Sequence, residues 1–146
     1  MKSSVLQNII EFAINREIEA AQFYSDLQLK TNSPSLKNLT KELEEMEKDH
    51  INILKKIFNE NSNAFDSESA GKLKLSDFQV EDSEKNDLNE IIKIAMKREE
   101  KSFNLYSAIA EKYLDVHLKN VFLKLADEEA SHKSILENYY YNEILK

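Results

Sequence analysis

The chain has 146 residues, 41% hydrophobic and 32% charged, with a net charge of −7, one glycine, one proline and no cysteine. That is enough for one domain with a buried core, and the missing cysteine excludes disulfides, zinc ribbons and thiol catalysis. The acidic balance argues against nucleic acid and anionic membrane as partners. No apolar run reaches membrane-spanning length and MKSSVLQNII lacks a signal pattern, so a cytoplasmic location is expected.

Four segments carry apolar residues at alternating steps of three and four, the mark of a helix with one inward face. The first stripe runs Leu6, Ile10, Ala13, Glu17, Ala20, Tyr24, Leu27. Ser33-Pro34 is a helix cap followed by proline at the first helical position, so the first helix is expected to end near Thr31 and the second to begin at Pro34. The second stripe reads Leu36, Leu39, Leu43, Met46, His50, Ile53, Ile57, with Glu47 on its flank. Residues 61 to 84 hold the only glycine and much Ser, Asn and Asp, a connector longer than a helix–helix turn needs. Its Leu73, Leu75, Phe78 and Val80 are expected to pack against the helices. The third stripe runs Leu88, Ile92, Ala95, Glu99, Ser102, Tyr106, Ile109, Tyr113. Asp115 then caps a fourth, Leu118, Val121, Leu125, Glu128, His132, Ile135, Tyr139, with Glu129 on its flank. The expectation is an all-α single domain, 1–146. Hairpin 1 covers about 4–60, the connector about 61–84 and hairpin 2 about 85–145, with one long crossover between two short-looped hairpins, as in ferritin-like four-helix bundles.

The two hairpins repeat each other without a gap. AINREIEAAQFY at 13–24 answers AMKREEKSFNLY at 95–106, and Glu47 and His50 recur as Glu129 and His132, 82 residues on. In an antiparallel pair, residues equally far from the turn share a level. Glu17 lies opposite the Glu47/His50 pair about a turn near residue 33, and Glu99 opposite Glu129/His132 about a turn near residue 115. Each hairpin thus raises one Glu from one helix and a Glu-x-x-His from the next to one height. The i, i+3 spacing projects Glu and His from the same face. Four buried carboxylates are tolerable only with counter-ions, because desolvation costs several kcal/mol per ion. Two divalent cations supply that charge, and oxygen-rich ligation with one nitrogen per metal suits iron or manganese.

Ala-Ile-x-x-Glu-x-x-Ala-x-x-Phe-Tyr at 13–24 and Leu-Ala-x-Glu-Glu-x-x-His at 125–132 resemble the rubrerythrins of the ferritin-like superfamily. The resemblance covers all four helices. It implies that Glu17, Glu47, Glu99 and Glu129 are carboxylate ligands and that His50 and His132 are nitrogen ligands of two iron ions, with manganese accepting the same set. It further implies reduction of hydrogen peroxide, or dioxygen, with electrons from an external carrier such as a rubredoxin, since the chain lacks the four cysteines of a rubredoxin-like domain. The family's third helix usually offers a further Glu one turn beyond the first ligand; Ser102 stands there. An iron-handling or iron-sensing protein with incidental ferroxidase activity is therefore the alternative reading, and a metal-free helical interaction module a third.

Other residues carry weaker signals. Tyr24 and Tyr106 follow Glu17 and Glu99 by about two turns on the same stripe and are candidates to support the ligands, as is Glu128 for a ligand histidine. His117, at the start of the fourth helix, is no ligand candidate. Of Tyr139, Tyr140 and Tyr141, only Tyr139 is expected in register with the core, leaving the others for a contact in a homodimer.

Overall fold

The computed structural model describes residues 4–60, 65–80 and 87–145. Both ends of the expected connector, 61–64 and 81–84, and residues 85 and 86 at the expected start of hairpin 2, lie outside the described residues. The chain divides into two compact units, Met1–Asn63 and Ala64–Lys146.

The first unit is a helical hairpin. Helix α1 (Val5–Lys30) opens with a capping box in which the Ser4 hydroxyl accepts the Gln7 N–H at 3.0 Å and the Gln7 side chain accepts the Ser4 N–H at 3.3 Å. Thr31 turns to extended backbone and ends it. The Ser33 hydroxyl accepts the Leu36 N–H at 3.3 Å and Pro34 takes the first position of α2 (Pro34–Phe58). So short a loop folds α2 back along α1, and the two helices pack over their length. The α1 stripe from Leu6 to Leu27 is buried at every position.

On α2 the inward face is rotated one residue from the expected stripe. Leu36, Thr40, Leu43, Glu47, His50, Leu54 and Ile57 are buried, while Met46 is 37% and Ile53 38% exposed. Leu36, Leu43, His50 and Ile57 are inward as expected, but the row beside them is Thr40, Glu47 and Leu54 in place of the more apolar Leu39, Met46 and Ile53. Thr40 is tolerated there because its hydroxyl donates to the Leu36 carbonyl at 2.8 Å.

The second unit begins with part of the connector. A single turn, α3 (Ser67–Ala70), and a 3-10 turn (Leu75–Phe78) precede the long helices α4 (Leu88–Ala110) and α5 (Val116–Tyr139). Leu73, Leu75, Phe78 and Val80 are half-buried, and the 3-10 turn rests on α4. There the Lys101 ammonium donates to the Asp77 carbonyl at 2.8 Å. At the other end of α4, Phe65 bridges Tyr113 through the backbone, and the Asp66 N–H donates to the Lys112 carbonyl at 2.7 Å. Asp87 and Asp115 cap α4 and α5, the latter accepting the His117 and Leu118 N–H groups at 2.8 and 3.2 Å.

The α5 face shows the same one-residue rotation as α2. Phe122, Leu125, Ala126, Glu129, His132 and Leu136 are buried, Glu128 is half-buried and Ile135 is 40% exposed. This phase carries on into a π turn (Tyr140–Ile144), so Tyr140 rather than Tyr139 joins the core, at 7% exposure, and Tyr141 is left outside. Among the described residues no helix is long and apolar enough to cross a membrane.

Candidate metal centre

In the first unit the inward rows of α1 and α2 bring Glu17, Glu47 and His50 together. Each offers a ligand atom within 4.8 Å of the others, and none is more than 2% exposed. His50 Nδ1 lies 3.2 Å from Glu17 Oε2. In the second unit Glu99, Glu129 and His132 meet the same condition and are equally buried. His132 Nδ1 is 3.5 Å from Glu99 Oε2 and 3.9 Å from Glu129 Oε1. The Glu-x-x-His pairs work as the helix dictates: three residues apart, both side chains leave one face and reach the opposing Glu.

These donor sets fit a hard or borderline divalent cation. Two ligands about 2.1 Å from one ion and at roughly 90–110° lie about 3.0–3.4 Å apart, close to the 3.2 and 3.5 Å between each histidine and the opposing Glu, while His132 and Glu129 stand wider at 3.9 Å. Two carboxylates with one imidazole match iron or manganese better than a sulfur-seeking ion. Glu17 Oε1 is buried with no hydrogen-bond partner among the described residues, an acceptor aimed where only a cation or a donor could satisfy it.

Around each triad, Tyr24 and Tyr106 are buried at 1% exposure on the rows of Glu17 and Glu99, two turns on. Ser102, one turn from Glu99, is also buried. Glu128 stands beside the inward row of α5, not on it, and His117 is exposed at the first turn of α5. The sequence reading passed over Arg16 and Arg98, which are 5% and 8% exposed. Their signal was the Arg-Glu pair shared by both halves of the repeat.

Two helical hairpins, each burying a Glu opposite a Glu-x-x-His, define a carboxylate–histidine protein of the all-α, ferritin-like four-helix class. The rubrerythrin family profile matches residues 8–140, and the chain belongs to the rubrerythrin family. A solved structure of a hypothetical protein from Pyrococcus furiosus is similar, with 26% identity and a TM-score of 0.73 over 93% of this chain and 88% of that one. No curated protein matches the chain. Family and buried carboxylate–histidine groups together make this an iron-binding type of protein.

Proposed function

We propose that this chain is a non-haem di-iron oxidoreductase that reduces hydrogen peroxide, or dioxygen, with electrons from a separate carrier protein of the rubredoxin kind. The observation that carries the reading is the pair of matching triads, Glu17–Glu47–His50 and Glu99–Glu129–His132, each buried within its own hairpin. In this reading the two hairpins act as one domain, and the six side chains are the ligands of two iron ions. Family membership across residues 8–140 supports joining the halves in this way. A homodimer working in the cytoplasm is the assembly we propose, and gel filtration tests its size.

Reduced iron, when bound, supplies the two electrons that peroxide needs to become water. The protein's part is to hold and to exclude. Carboxylates carry the negative charge that retains a dication, and neutral imidazoles add donors without adding charge. The buried rows Ile10, Ala13, Ala20 and Ile92, Ala95, Ser102 keep bulk water from the triads, which strengthens every charge interaction there. Tyr24 and Tyr106 pack below the ligand level and restrain the helix faces that carry Glu17 and Glu99. Glu128 is proposed to steady His132 from the edge of the row.

Ser102 favours one alternative. A buried hydroxyl in place of a further carboxylate leaves the centre without the extra ligand that redox cycling in the family draws on, which suits an iron-handling protein with incidental ferroxidase activity. Anaerobic loading with ferrous iron followed by peroxide addition separates the two. The oxidoreductase reading expects peroxide to vanish much faster than with free ferrous ion, and repeatedly when reductant is supplied. Consumption no faster than free ferrous ion rejects it.

A further inference from the structure

The residue that follows each triad member lies outside the core, and in both hairpins these neighbours line a groove between the two helices. Ile18, Lys48 and Ile51, next after Glu17, Glu47 and His50, share a groove of about 330 Å³ in hairpin 1 with Ala21. Glu100, Ala130 and Lys133, next after Glu99, Glu129 and His132, share one of about 310 Å³ in hairpin 2. Consecutive Cα atoms are about 3.8 Å apart, so each groove backs directly onto its triad.

The two grooves differ in charge. On α2, Lys37, Lys41, Lys48 and Lys55 are exposed and recur at steps of four, seven and seven, which keeps them on one line of the helix. The line borders the groove at Lys48 and runs about 27 Å at 1.5 Å per residue. Across the groove, the outer row of α1 offers Ile14, Ile18 and Leu29, the last two 48% and 86% exposed. Together, the α1 row from Glu11 to Leu29 and the α2 row from Lys37 to Lys55 set four lysines against two acids, Glu11 and the Glu44 that pairs with Lys48 at 2.7 Å. Asp26, Glu45 and Lys56 lie at the margins. The same rows 82 residues on set three lysines against three glutamates, with Glu90, Lys97 and Asp127 at the margins, so hairpin 1 is the more positive by two charges. At the four lysine positions hairpin 2 has Lys119, Leu123, Ala130 and Glu137.

We infer that this face of hairpin 1, the groove of Ile18, Ala21 and Ile51 rimmed by Lys37, Lys41, Lys48 and Lys55, is the docking surface for an acidic electron-carrier protein. The inference rests on the oxidoreductase reading and names the face that the carrier uses. A chain of net charge −7 repels an acidic partner unless a local positive face turns it. An apolar centre within a charged rim is the ordinary anatomy of a protein–protein contact, the rim steering approach and orientation. Three residues of the groove are each one peptide bond from a ligand of the first triad, so a carrier seated there has only the wall of the hairpin to pass an electron through. A reduced carrier gives up one electron per visit, so two visits, with two protons from solvent, match one peroxide reduced to two waters. The acidic balance of the whole chain speaks against a lipid surface as the occupant.

An acidic rubredoxin and an acidic flavodoxin are the probes, each titrated at low salt into the iron-loaded, full-length chain by calorimetry. Lys41→Gln with Lys55→Gln removes two charges from the face and spares the Lys48–Glu44 pair. Lys119→Gln with Lys133→Gln removes two from the matching face of hairpin 2. The parent is expected to bind at least one carrier, and the hairpin 1 pair to weaken it about tenfold, at roughly threefold per exposed charge. The hairpin 2 pair, which acts only through the overall charge, should weaken it no more than about twofold. Added salt should bring the parent and the hairpin 1 variant together. Single-turnover peroxide consumption by chemically pre-reduced protein should be the same in the parent and the hairpin 1 variant, and it tests the oxidoreductase reading by itself. Unchanged binding in the hairpin 1 pair or equal weakening by both pairs overturns the inference and leaves that reading intact. So does a parent that holds neither carrier, whether or not it holds anionic lipid vesicles. Pre-reduced parent that consumes peroxide no faster than free ferrous ion overturns both.

Discussion

The two hairpins agree at the level of the triads and part company elsewhere. Glu17, Glu47, His50, Arg16 and Tyr24 all have an identical residue 82 positions on. Towards the turn, Thr31 and Thr40 face Tyr113 and Phe122 as their counterparts. In hairpin 2 these aromatics stack at 5.4 Å, and Phe65 adds an edge contact to Tyr113 at 4.9 Å. On another face the polar set Gln28, Glu44 and Lys48 is replaced by Ala110, Ala126 and Ala130. In hairpin 1 the Gln28 amide donates to Glu44 at 2.7 Å and the Lys48 ammonium sits 2.7 Å from the same carboxylate. Packing between two helices has many solutions, and each hairpin uses its own. A carboxylate–histidine triad at one height has very few, and both hairpins use the same one.

That contrast can be broken most forcefully at Phe122. Phe122→Ala removes the ring stacked on Tyr113 and tilted against Tyr106 and is expected to cost about 3–5 kcal/mol in denaturant unfolding. Thr40→Ala, the matching change in hairpin 1, loses one hydroxyl bond to a backbone carbonyl and should cost about 1 kcal/mol. Equal losses would deny that the two cores are built differently.

The next effect reverses sign with metal. Glu47→Gln and Glu129→Gln each remove one of two carboxylates buried in the same hairpin. Without metal, these variants should unfold no more easily than the parent, because two carboxylates buried in one hairpin disfavour each other's charge. With ferrous or manganous ion at a hundredfold excess over its dissociation constant, the parent should gain about 2.7 kcal/mol and the variants much less. The two hairpins should respond alike. Thermal melts with and without metal measure both arms.

The smallest effect belongs to hairpin 1 alone. The Lys48 ammonium, then the Gln28 amide, hold the Glu44 carboxyl below its usual range. A carboxylate with a lowered folded-state pKa adds stability above its unfolded pKa and loses it as the pH falls through the folded value. Glu44→Gln should therefore cost about 0.5 kcal/mol or less near neutrality, given its solvent contact, and nothing in acid. A pH series of unfolding midpoints shows whether the parent and variant curves converge in acid.

Much of this was legible in the chain itself. Ser33-Pro34 and Asp115 mark the turns because caps are local chemistry, and the triads stand out because a repeat with equal offsets levels them. The rotational phase of α2 and α5 was not legible. Leu39, Met46 and Ile53 are more apolar than Thr40, Glu47 and Leu54, so hydropathy favoured the first row, and packing against the partner helix chose the second. The choice moved Glu47 and Glu129 from the flank to the centre of their faces and exchanged Tyr139 for Tyr140. Arg16 and Arg98 escaped notice because an arginine beside a glutamate reads as a solvated pair until burial is known.

The central claim is that buried carboxylates and histidines in each hairpin hold a metal, and the direct measurement is iron per chain after anaerobic loading and desalting. The account predicts about two for the parent, with a clear fall when either Glu47 and His50 or Glu129 and His132 are replaced by alanine. Iron that washes away from the parent, or a ratio indifferent to both double replacements, would contradict it.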